Sequence, residues 1–350
     1  MKGAETVMQS AAAHEIPPSP ETAARARLTS RFALFSQPLP TEAELFAMWG
    51  DSDEVVVSIA CATFEHGDLL DDAIRSFLLQ KTRFRFEIVI RDDASTDGTR
   101  DLIADYMRHY PRIIRARIYD ENQFTLGRRP SDDWIGLTRG AYVAFCEGDD
   151  FWIDREKLQD QVAQLQRHPD CVISVAGTFW YNLPDDQLQE KGIAAEESVH
   201  DGIPPQYHHT STFVIERRAL AHTKAKQKKY GIYGDTALRR LLVDHGKCIC
   251  LPRLVSVYWV SGSGIWTSRS QDQKARDHVL IFAGLVRAAG YRNKPSHLRS
   301  LSDACVRYFP ISLRNRDWGL AAACCVPFAL RKVRNLSRRV RRKLGMRRET

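Results

Sequence analysis

The sequence predicts an α/β protein with a doubly wound, mainly parallel sheet and a helical C-terminal extension. Apolar, β-rich runs alternate with segments of helical periodicity from residue 54 onward. Two of these runs end in acidic clusters, at 92–97 and 147–150, and the chain has a helical pattern from residue 277. Apolar runs bounded by turn residues are typical of buried parallel strands. Their alternation with helices is typical of a doubly wound sheet.

Each element is predicted from its local pattern. Residues 1–50 are expected to be a partly irregular extension because prolines interrupt it, although Thr41 can start a short helix. Residues 183–206 are polar and rich in proline and glycine, so we expect a mobile loop over the site. The predicted strands are 55–62, 86–90, 113–119, 142–146, 172–176, 211–215, 247–251 and 254–259. The predicted helices are 69–81, 99–110, 155–167 and 234–245, followed by the region from 277.

The charge of the chain is concentrated at one end. The 350 residues carry a net charge of +8, but residues 331–350 hold ten Lys or Arg and one acid. The rest of the chain is therefore close to neutral, and we expect no specific nucleic-acid partner. The eight cysteines have no C-x-x-C spacing, which disfavours a zinc site, and free buried thiols suit a reducing compartment.

We expect a cytoplasmic protein, because the N-terminus lacks the apolar core of a secretory signal and no apolar stretch is long enough to span a membrane. The expected domains are the extension at 1–50, a main domain at 51–265, a helical extension at 266–317, and an apolar segment with a basic tail at 318–350.

The acidic cluster at 147–150 is a candidate metal site. Glu147 and Asp149 alternate around Gly148, so in an extended segment their carboxylates share a face. Gly148 lets the backbone approach a ligand closely. Mg²⁺ and Mn²⁺ often take one or two carboxylates, with phosphates and water as the other ligands. The alternative is a capped turn, in which Asp150 caps a helix beginning at residue 151 or 155. In the other cluster, Asp93 is the stronger candidate for contact with a ribose or a base.

Five motifs in order, between about residues 55 and 265, resemble family 2 glycosyltransferases of the GT-A fold. A strand reads "VSIACATFE", a helix ends in "SFLLQ", and the acidic cluster "DDASTDGT" follows. The remaining two are "EGDDFW" at 147–152 and "KLQDQ" at 157–161, typical of one branch of the family. The resemblance implies a sugar transfer from a nucleoside diphosphate donor, with UDP as the expected nucleotide.

The resemblance also implies roles for individual residues. Asp149 would ligate Mn²⁺ or Mg²⁺ with help from Glu147, and Asp235, in "YGDTAL", would be the catalytic base. An ordinary helix N-cap is the alternative for Asp235. Arg139 is a candidate phosphate partner, with a solvated charge as the alternative. The residues expected to bind the nucleotide sugar are Ala62, Phe64, Glu65, Asp93, Arg139, Glu147 and Gly148.

Two departures from the family pattern matter. Glu65 stands where Asn is usual, and the late "VYRxHxxG" motif reads "VYWVSGSG", so Trp259 replaces an Arg and Ser261 a His. His208 and His209 are candidates to compensate, with a structural or surface role as the alternative. Two other functions therefore stay open. One is a degenerate GT-A protein that binds nucleotide or membrane without turnover. The other is a nucleotidyltransferase, which the acidic character of 61–68 disfavours.

The tail at 329–348 predicts membrane association. Its apolar residues recur at spacings of three and four, and basic residues occupy the other faces. Such a helix lies in an anionic membrane interface, whereas a disordered tail or nonspecific RNA binding is the alternative. We therefore expect an inverting, metal-dependent glycosyltransferase, peripheral at the inner face of the plasma membrane. Its acceptor would be a glycan or a lipid-linked glycan in bacterial surface-polysaccharide synthesis.

Overall fold

The computed structural model describes residues 19–50, 53–128, 133–261, 264, 267–289, 295–319, 321, 322 and 324. Within these ranges the strands are β1 Val55–Thr63, β2 Arg85–Asp92, β3 Ile114–Ile118, β4 Tyr142–Phe145, β5 Phe151–Trp152, β6 Cys171–Asn182, β7 Gln187–Lys191, β8 Ser198–His200, β9 Val214–Glu216 and β10 Lys247–Val260. The helices are α1 Pro20–Thr29, α2 Glu42–Trp49, α3 Leu70–Leu78, α4 Thr99–His109, α5 Trp134–Leu137, α6 Lys157–Arg167, α7 Arg217–Tyr230, α8 Asp235–Leu242, α9 Gln271–Ala289 and α10 Pro295–Arg314.

The strands form one sheet in the order β3, β2, β1, β4, β9, β6, β10, β5, with β7 paired to β6 and β8 to β10. Strands β1 to β4 are parallel to one another, as are β6 and β10, while β9 runs antiparallel between β4 and β6. The predicted α/β class with a mainly parallel sheet is confirmed. Because β1, β2 and β4 are parallel, their carboxyl ends meet at one edge, where open α/β sheets bind ligands.

Helices cover both faces of the sheet. Neighbouring residues of a strand point to opposite faces, and β1 illustrates this. Ile59 belongs to a buried cluster with Phe77 of α3 and Ile103 of α4. The next residue, Ala60, belongs to a second cluster with Leu220 of α7. Burial of β1 from both sides explains its continuous apolar sequence.

The N-terminal extension is more regular than predicted. The helix after Thr41 is confirmed: Thr41 and Glu44 form a reciprocal capping box at the start of α2. The irregular start predicted at the first prolines does not include Pro20, because α1 begins there. Pro20 begins this helix instead of interrupting it, since proline at the first helical position loses no hydrogen bond, and the Ser19 side chain caps the helix.

Two other predictions about elements need correction, and one helix was missed. Residues 183–206 are not one loop, because β7 forms a hairpin with β6 and β8 pairs with β10. Their polar sequence reflects an edge position with largely exposed side chains. The strands predicted at 247–251 and 254–259 are one strand, β10, whose register shifts near Leu254 accommodate Pro252. Helix α7, rich in lysine, was not predicted.

The helical extension after β10 is confirmed by α9 and α10, which share a buried cluster containing Val279 and Cys305. None of the helices in the described ranges is long and apolar enough to cross a membrane. The predicted basic helix at 329–348 lies outside the described residues. The seven described cysteines are buried, as predicted. The domain boundaries stay predictions.

Candidate active site

The acidic segment 147–150 leaves β4 at the carboxyl edge and runs beside the end of β1. Gly148 N donates a hydrogen bond to Ala62 O at 2.8 Å, which fixes the segment against this strand. A Cβ atom at Gly148 would lie 2.8 Å from Thr63 Oγ1 and 3.0 Å from His66 Nδ1. Only glycine fits so close an approach without a shift of its neighbours. The carboxylates on either side of Gly148 are thereby held at the edge of the sheet.

The carboxylates of Asp149 and Asp235 both act electrostatically on Glu147 at the carboxyl edge of the sheet, and we call the region around these three residues the acidic crevice. Desolvation by the surrounding protein has the largest effect and raises the pKa of Glu147. Repulsion from Asp149 and then from Asp235 adds to this effect, and the pKa reaches about 8. Glu147 keeps one side open to solvent, which screens part of this repulsion. Like charges disfavour each other's ionisation, so Asp149 and Asp235 both lie within electrostatic range of Glu147. The structure thus brings together the residues that the sequence assigns to metal and base.

Asp149 has an oxygen that is not used within the protein. Its Oδ1 is buried, and no described residue donates a hydrogen bond to it. A buried polar atom without a partner costs free energy until a donor or a cation meets it. The described residues contain no group of three or more His, Cys, Asp or Glu side chains arranged to hold a metal ion. Glu147 and Asp149 nevertheless fit a hard cation whose other ligands are phosphate and water.

Asp235 is the first residue of α8 and follows Gly234, whose φ of 89° suits glycine. Burial raises the pKa of Asp235, and the positive charges of Arg239 and Lys224 offset part of this effect. A carboxylate with a raised pKa is a stronger proton acceptor than an ordinary aspartate. The position and the basicity suit a general base, although its role stays a prediction.

Asp150 anchors the acidic segment from inside the protein. It is fully buried, and Trp259 N donates to its Oδ1 at 3.0 Å. The alternative of a helix cap is wrong, because Phe151 begins β5 and α6 starts only at Lys157. His209 Nδ1 lies 3.4 Å from Asp150 Oδ2. Burial lowers the pKa of His209 to about 3, so its neutral ring makes no ion pair there.

His208 and His209 are both buried and bonded within the protein. His208 Nδ1 donates to Ala176 O at 2.9 Å, and His209 Nδ1 lies 2.9 Å from Ser211 Oγ. These contacts use the side chains to fix β6 and the turn before β9. They favour the structural alternative for both histidines over compensation for the missing family residues.

An aromatic wall formed by Trp180, Tyr207 and Tyr258 borders the acidic crevice, and it was not predicted from the sequence. Trp180 and Tyr258 are register partners on β6 and β10, and the Trp180 ring contacts both tyrosines edge-on. Burial and the charge of Asp235 raise the pKa of Tyr207, which places this tyrosine near the proposed base. All three aromatic residues are visible in the sequence. Tyr207 directly follows the segment 183–206 that was predicted to be a loop, so its position beside two strands could not be inferred. Rings with polar edges suit a hydroxylated ligand.

Two predicted nucleotide contacts have their carboxylates engaged in loops. Asp93 Oδ1 accepts from Gln123 N at 2.9 Å, and its Oδ2 accepts from Phe124 N at 3.1 Å. Glu65, at a positive φ of 53°, accepts from Thr96 N at 2.9 Å. Both residues therefore shape the rim next to β1 and β2. Their contact with a nucleoside stays a prediction, as does that of Ala62 and of the exposed Phe64.

Arg139 lies away from the crevice. Its Nη2 and Nε atoms bind Glu87 Oε2 at 2.6 and 2.8 Å, and its backbone N donates to Ser58 Oγ at 3.0 Å. Ser58 precedes Thr63, at the carboxyl end of β1, by five residues, which is roughly 16 Å along a strand. The prediction that Arg139 binds the nucleotide sugar is therefore wrong. Its guanidinium instead neutralises the buried carboxylate of Glu87.

Comparison with known proteins identifies the domain around this crevice. Residues 58–223 match the family described as "Glycosyl transferase family 2". The chain contains a family 2 glycosyltransferase domain. The match includes Glu147 and Asp149 but ends before Asp235 and Tyr258. Only the structure places Asp235 and Tyr258 beside the matched residues.

Relatives of this glycosyltransferase domain occur in several bacteria. The chain is 29% identical over 222 residues to the uncharacterized protein Rv1520 of Mycobacterium tuberculosis, covering 62% of each protein. It is 30% identical over 146 residues to the putative teichuronic acid biosynthesis glycosyltransferase TuaG of Bacillus subtilis, covering 41% of this chain and 54% of TuaG. The matches thus span about three fifths or less of these relatives.

Among solved structures, S. aureus TarS 1-349 in complex with UDP-GlcNAc has a TM-score of 0.51 at 15% identity, over 73% of each chain. TarS 1-349 without that ligand gives a TM-score of 0.50 at 16% identity, over 75% of this chain and 74% of that one. At such identities the likeness concerns the fold, and it confirms the predicted GT-A architecture of the glycosyltransferase domain.

Proposed function

We propose that this protein is an inverting, metal-dependent glycosyltransferase. It moves a sugar from a nucleoside diphosphate donor, a UDP-sugar, to a hydroxyl of a glycan or lipid-linked glycan. The observation that carries the proposal is the coupling of Glu147, Asp149 and Asp235 in one crevice at the carboxyl edge of a family 2 domain. The name of the relative TuaG supports polysaccharide synthesis as the setting. Uridine is favoured by the sequence motifs and by the ligand of TarS.

Asp149 and Glu147 are the residues that would hold Mn²⁺ or Mg²⁺. The unpartnered oxygen of Asp149 and the mutual repulsion of the two carboxylates support this assignment. When bound, a divalent cation offsets the negative charge of the donor's diphosphate. Gly148 keeps both carboxylates close to the end of β1, so the diphosphate would approach the backbone there.

Asp235 would act as the general base. It takes the proton of the acceptor hydroxyl while that oxygen forms a bond to the anomeric carbon of the donor sugar. The bond between this carbon and the diphosphate oxygen breaks with its electron pair, and the nucleoside diphosphate leaves. A single displacement of this kind inverts the anomeric configuration. The raised pKa of Asp235 makes it a stronger proton acceptor than an ordinary aspartate.

The aromatic wall would position the reacting sugar. Tyr207 is 43% exposed, and Tyr258 is stacked on His209 at a centroid distance of 4.0 Å. Rigid rings beside Asp235 favour one orientation of a sugar and keep water away from the base. This arrangement favours transfer to an acceptor over hydrolysis of the donor.

One observation favours a second candidate, a GT-A protein that binds nucleotides without turnover. Trp259, which stands at the position of a family arginine, is buried and stacks on Tyr181 at 4.8 Å. That position therefore supplies no positive charge from its own side chain.

Donor turnover by the purified full chain separates the two candidates. UDP release from UDP-glucose, UDP-galactose and UDP-GlcNAc is measured with and without Mn²⁺, beside Asp235→Asn and the exposed control Glu121→Gln. We expect Mn²⁺-dependent release that Asp235→Asn abolishes and Glu121→Gln keeps. If the wild type binds UDP but releases no more UDP than Asp235→Asn from any of the donors, only the candidate that binds nucleotides without turnover remains.

A further inference from the structure

The N-terminal helix α1 reaches the acidic crevice from outside the family domain. Three of its side chains make polar contacts with elements of the main domain. Thr22 Oγ1 donates to Asp68 Oδ2 at 2.9 Å, and Trp259 Nε1 donates to Glu21 Oε1 at 2.8 Å. The third is Arg25, whose guanidinium contacts the acidic segment itself.

Arg25 is 2% exposed and fully engaged. Its Nη1 donates to the backbone oxygen of Asp149 at 2.6 Å, and its Nε donates to Asp72 Oδ2 at 2.8 Å. The guanidinium lies between two aromatic rings, 4.3 Å from the centre of Phe151 and 5.0 Å from that of Trp259. Cation–π contacts and charge-assisted hydrogen bonds are strongest where water is excluded.

These contacts act on the backbone of Asp149. A short bond to its carbonyl oxygen fixes the peptide between Asp149 and Asp150, and the direction of the Asp149 side chain depends on that peptide. The positive charge of Arg25 also offsets part of the repulsion among the neighbouring carboxylates. Arg25 is too deeply enclosed to meet a ligand, so any effect on the site runs through Asp149.

The replacement of arginine by Trp259 in the late motif has a counterpart here. The Trp259 ring forms one wall of the slot that holds Arg25, and its Nε1 binds Glu21 of the same helix. An arginine at position 259 would place a second cation against Arg25. The tryptophan and the N-terminal helix therefore form one unit.

We propose that α1 is an integral part of the nucleotide-sugar site and that Arg25 is a positioning residue, which aims Asp149 at the cation and diphosphate. This inference rests on the proposed function, because Asp149 has the role of metal ligand there. It predicts that removing Arg25 weakens the metal-dependent part of nucleotide binding and spares the metal-independent part.

The test compares UDP binding by the full chain in calorimetry, with and without Mn²⁺, for wild type, Arg25→Ala and the control Arg27→Ala. Arg27 lies on the same helix but is exposed. We expect Arg25→Ala to raise the Kd for UDP with Mn²⁺ about tenfold or more, the effect of one lost charged hydrogen bond. The Kd without Mn²⁺ and both Kd values of Arg27→Ala should match the wild type.

Chemical rescue distinguishes positioning from a general loss of structure. Guanidinium ion fits the slot between Phe151 and Trp259 that Arg25→Ala leaves, so a guanidinium salt at concentrations that do not unfold the variant should restore Mn²⁺-dependent UDP binding. An equal concentration of sodium chloride should not. Equal weakening of UDP binding with and without Mn²⁺, or unchanged binding, would overturn the role of Arg25 alone. A wild type that binds no UDP even with Mn²⁺ would overturn the proposed function together with this inference.

Discussion

Lys157 is a buried amine, and replacing it with methionine should stabilise the protein. The side chain is 1% exposed, and none of the described residues accepts a hydrogen bond from its Nζ. Its nearest compensation is the Trp152 ring, whose centre lies 4.2 Å from Nζ. Burial lowers the pKa of Lys157 from 10.5 to about 7, with Cys146 and Asp154 opposing this effect. The fold therefore carries the cost of taking an ammonium group out of water.

The size of this cost follows from the pKa. At about 1.4 kcal/mol per pKa unit, the lowered value corresponds to roughly 4 to 5 kcal/mol against the charged form. The cation–π contact with Trp152 returns about 2 kcal/mol. Methionine keeps a similar shape without a charge, so Lys157→Met should raise the free energy of unfolding at pH 7 by about 2 to 3 kcal/mol.

The pH dependence gives this prediction its sign. The folded-state pKa of Lys157 is depressed, so between pH 7 and about 10.5 the unfolded chain binds more protons than the folded one. The free energy of unfolding of the wild type should therefore rise with pH through this window, because the cost of burying the Lys157 ammonium group disappears. The free energy of unfolding of Lys157→Met should lack this rise. Urea unfolding at pH 7 and pH 9.5 measures both effects, with the exposed Lys228→Met as control. A variant less stable than wild type at pH 7, or with the same pH profile, would refute the reasoning.

Three further predictions address the crevice and the Arg139 correction. Gly148→Ala should reduce turnover of the UDP-sugar at least about tenfold and cost about 1 to 3 kcal/mol in urea unfolding, because the added methyl group must displace Thr63. The kcat should fall at low pH along a limb set by Asp235, at a higher pH than the value near 4 of an ordinary aspartate, and a pH–rate profile reports this. Arg139→Ala should leave the KM for the UDP-sugar within about twofold of wild type while lowering stability by about 1 to 3 kcal/mol, because Glu87 loses a partner in the protein interior. Wild-type turnover by Gly148→Ala, a kcat limb at or below about pH 4, or a clearly raised KM for Arg139→Ala would each contradict the corresponding prediction.

The sequence predicts the parts of the fold that have local causes. Burial from both sides makes β1 a continuous apolar run, and a capping box marks the start of α2. The acidic segment was found because its carboxylates follow an apolar strand directly. These signals lie within a few residues of the feature they announce, so a single sequence carries them.

Features that depend on distant partners could not be predicted in this way. Arg25 and Asp149 are 124 positions apart, and nothing near either residue announces their hydrogen bond. The aromatic wall combines Trp180 with Tyr258 of another strand, and β7 is an exposed edge strand without apolar alternation. Arg139 was misplaced for the same reason, because its partner Glu87 is defined only by the register of the sheet.

The central claim is that Asp235, which lies across the crevice from Glu147 and Asp149, removes the proton of the acceptor hydroxyl. The most direct measurement is the rate of UDP release from the best UDP-sugar, with Mn²⁺ and a saccharide acceptor, for wild type and Asp235→Asn. The two proteins are first shown to bind UDP with equal affinity. The account predicts a loss of about a hundredfold or more in kcat for the variant and an inverted anomeric centre in the wild-type product. Equal rates for the two proteins, or a product with retained configuration, would contradict it.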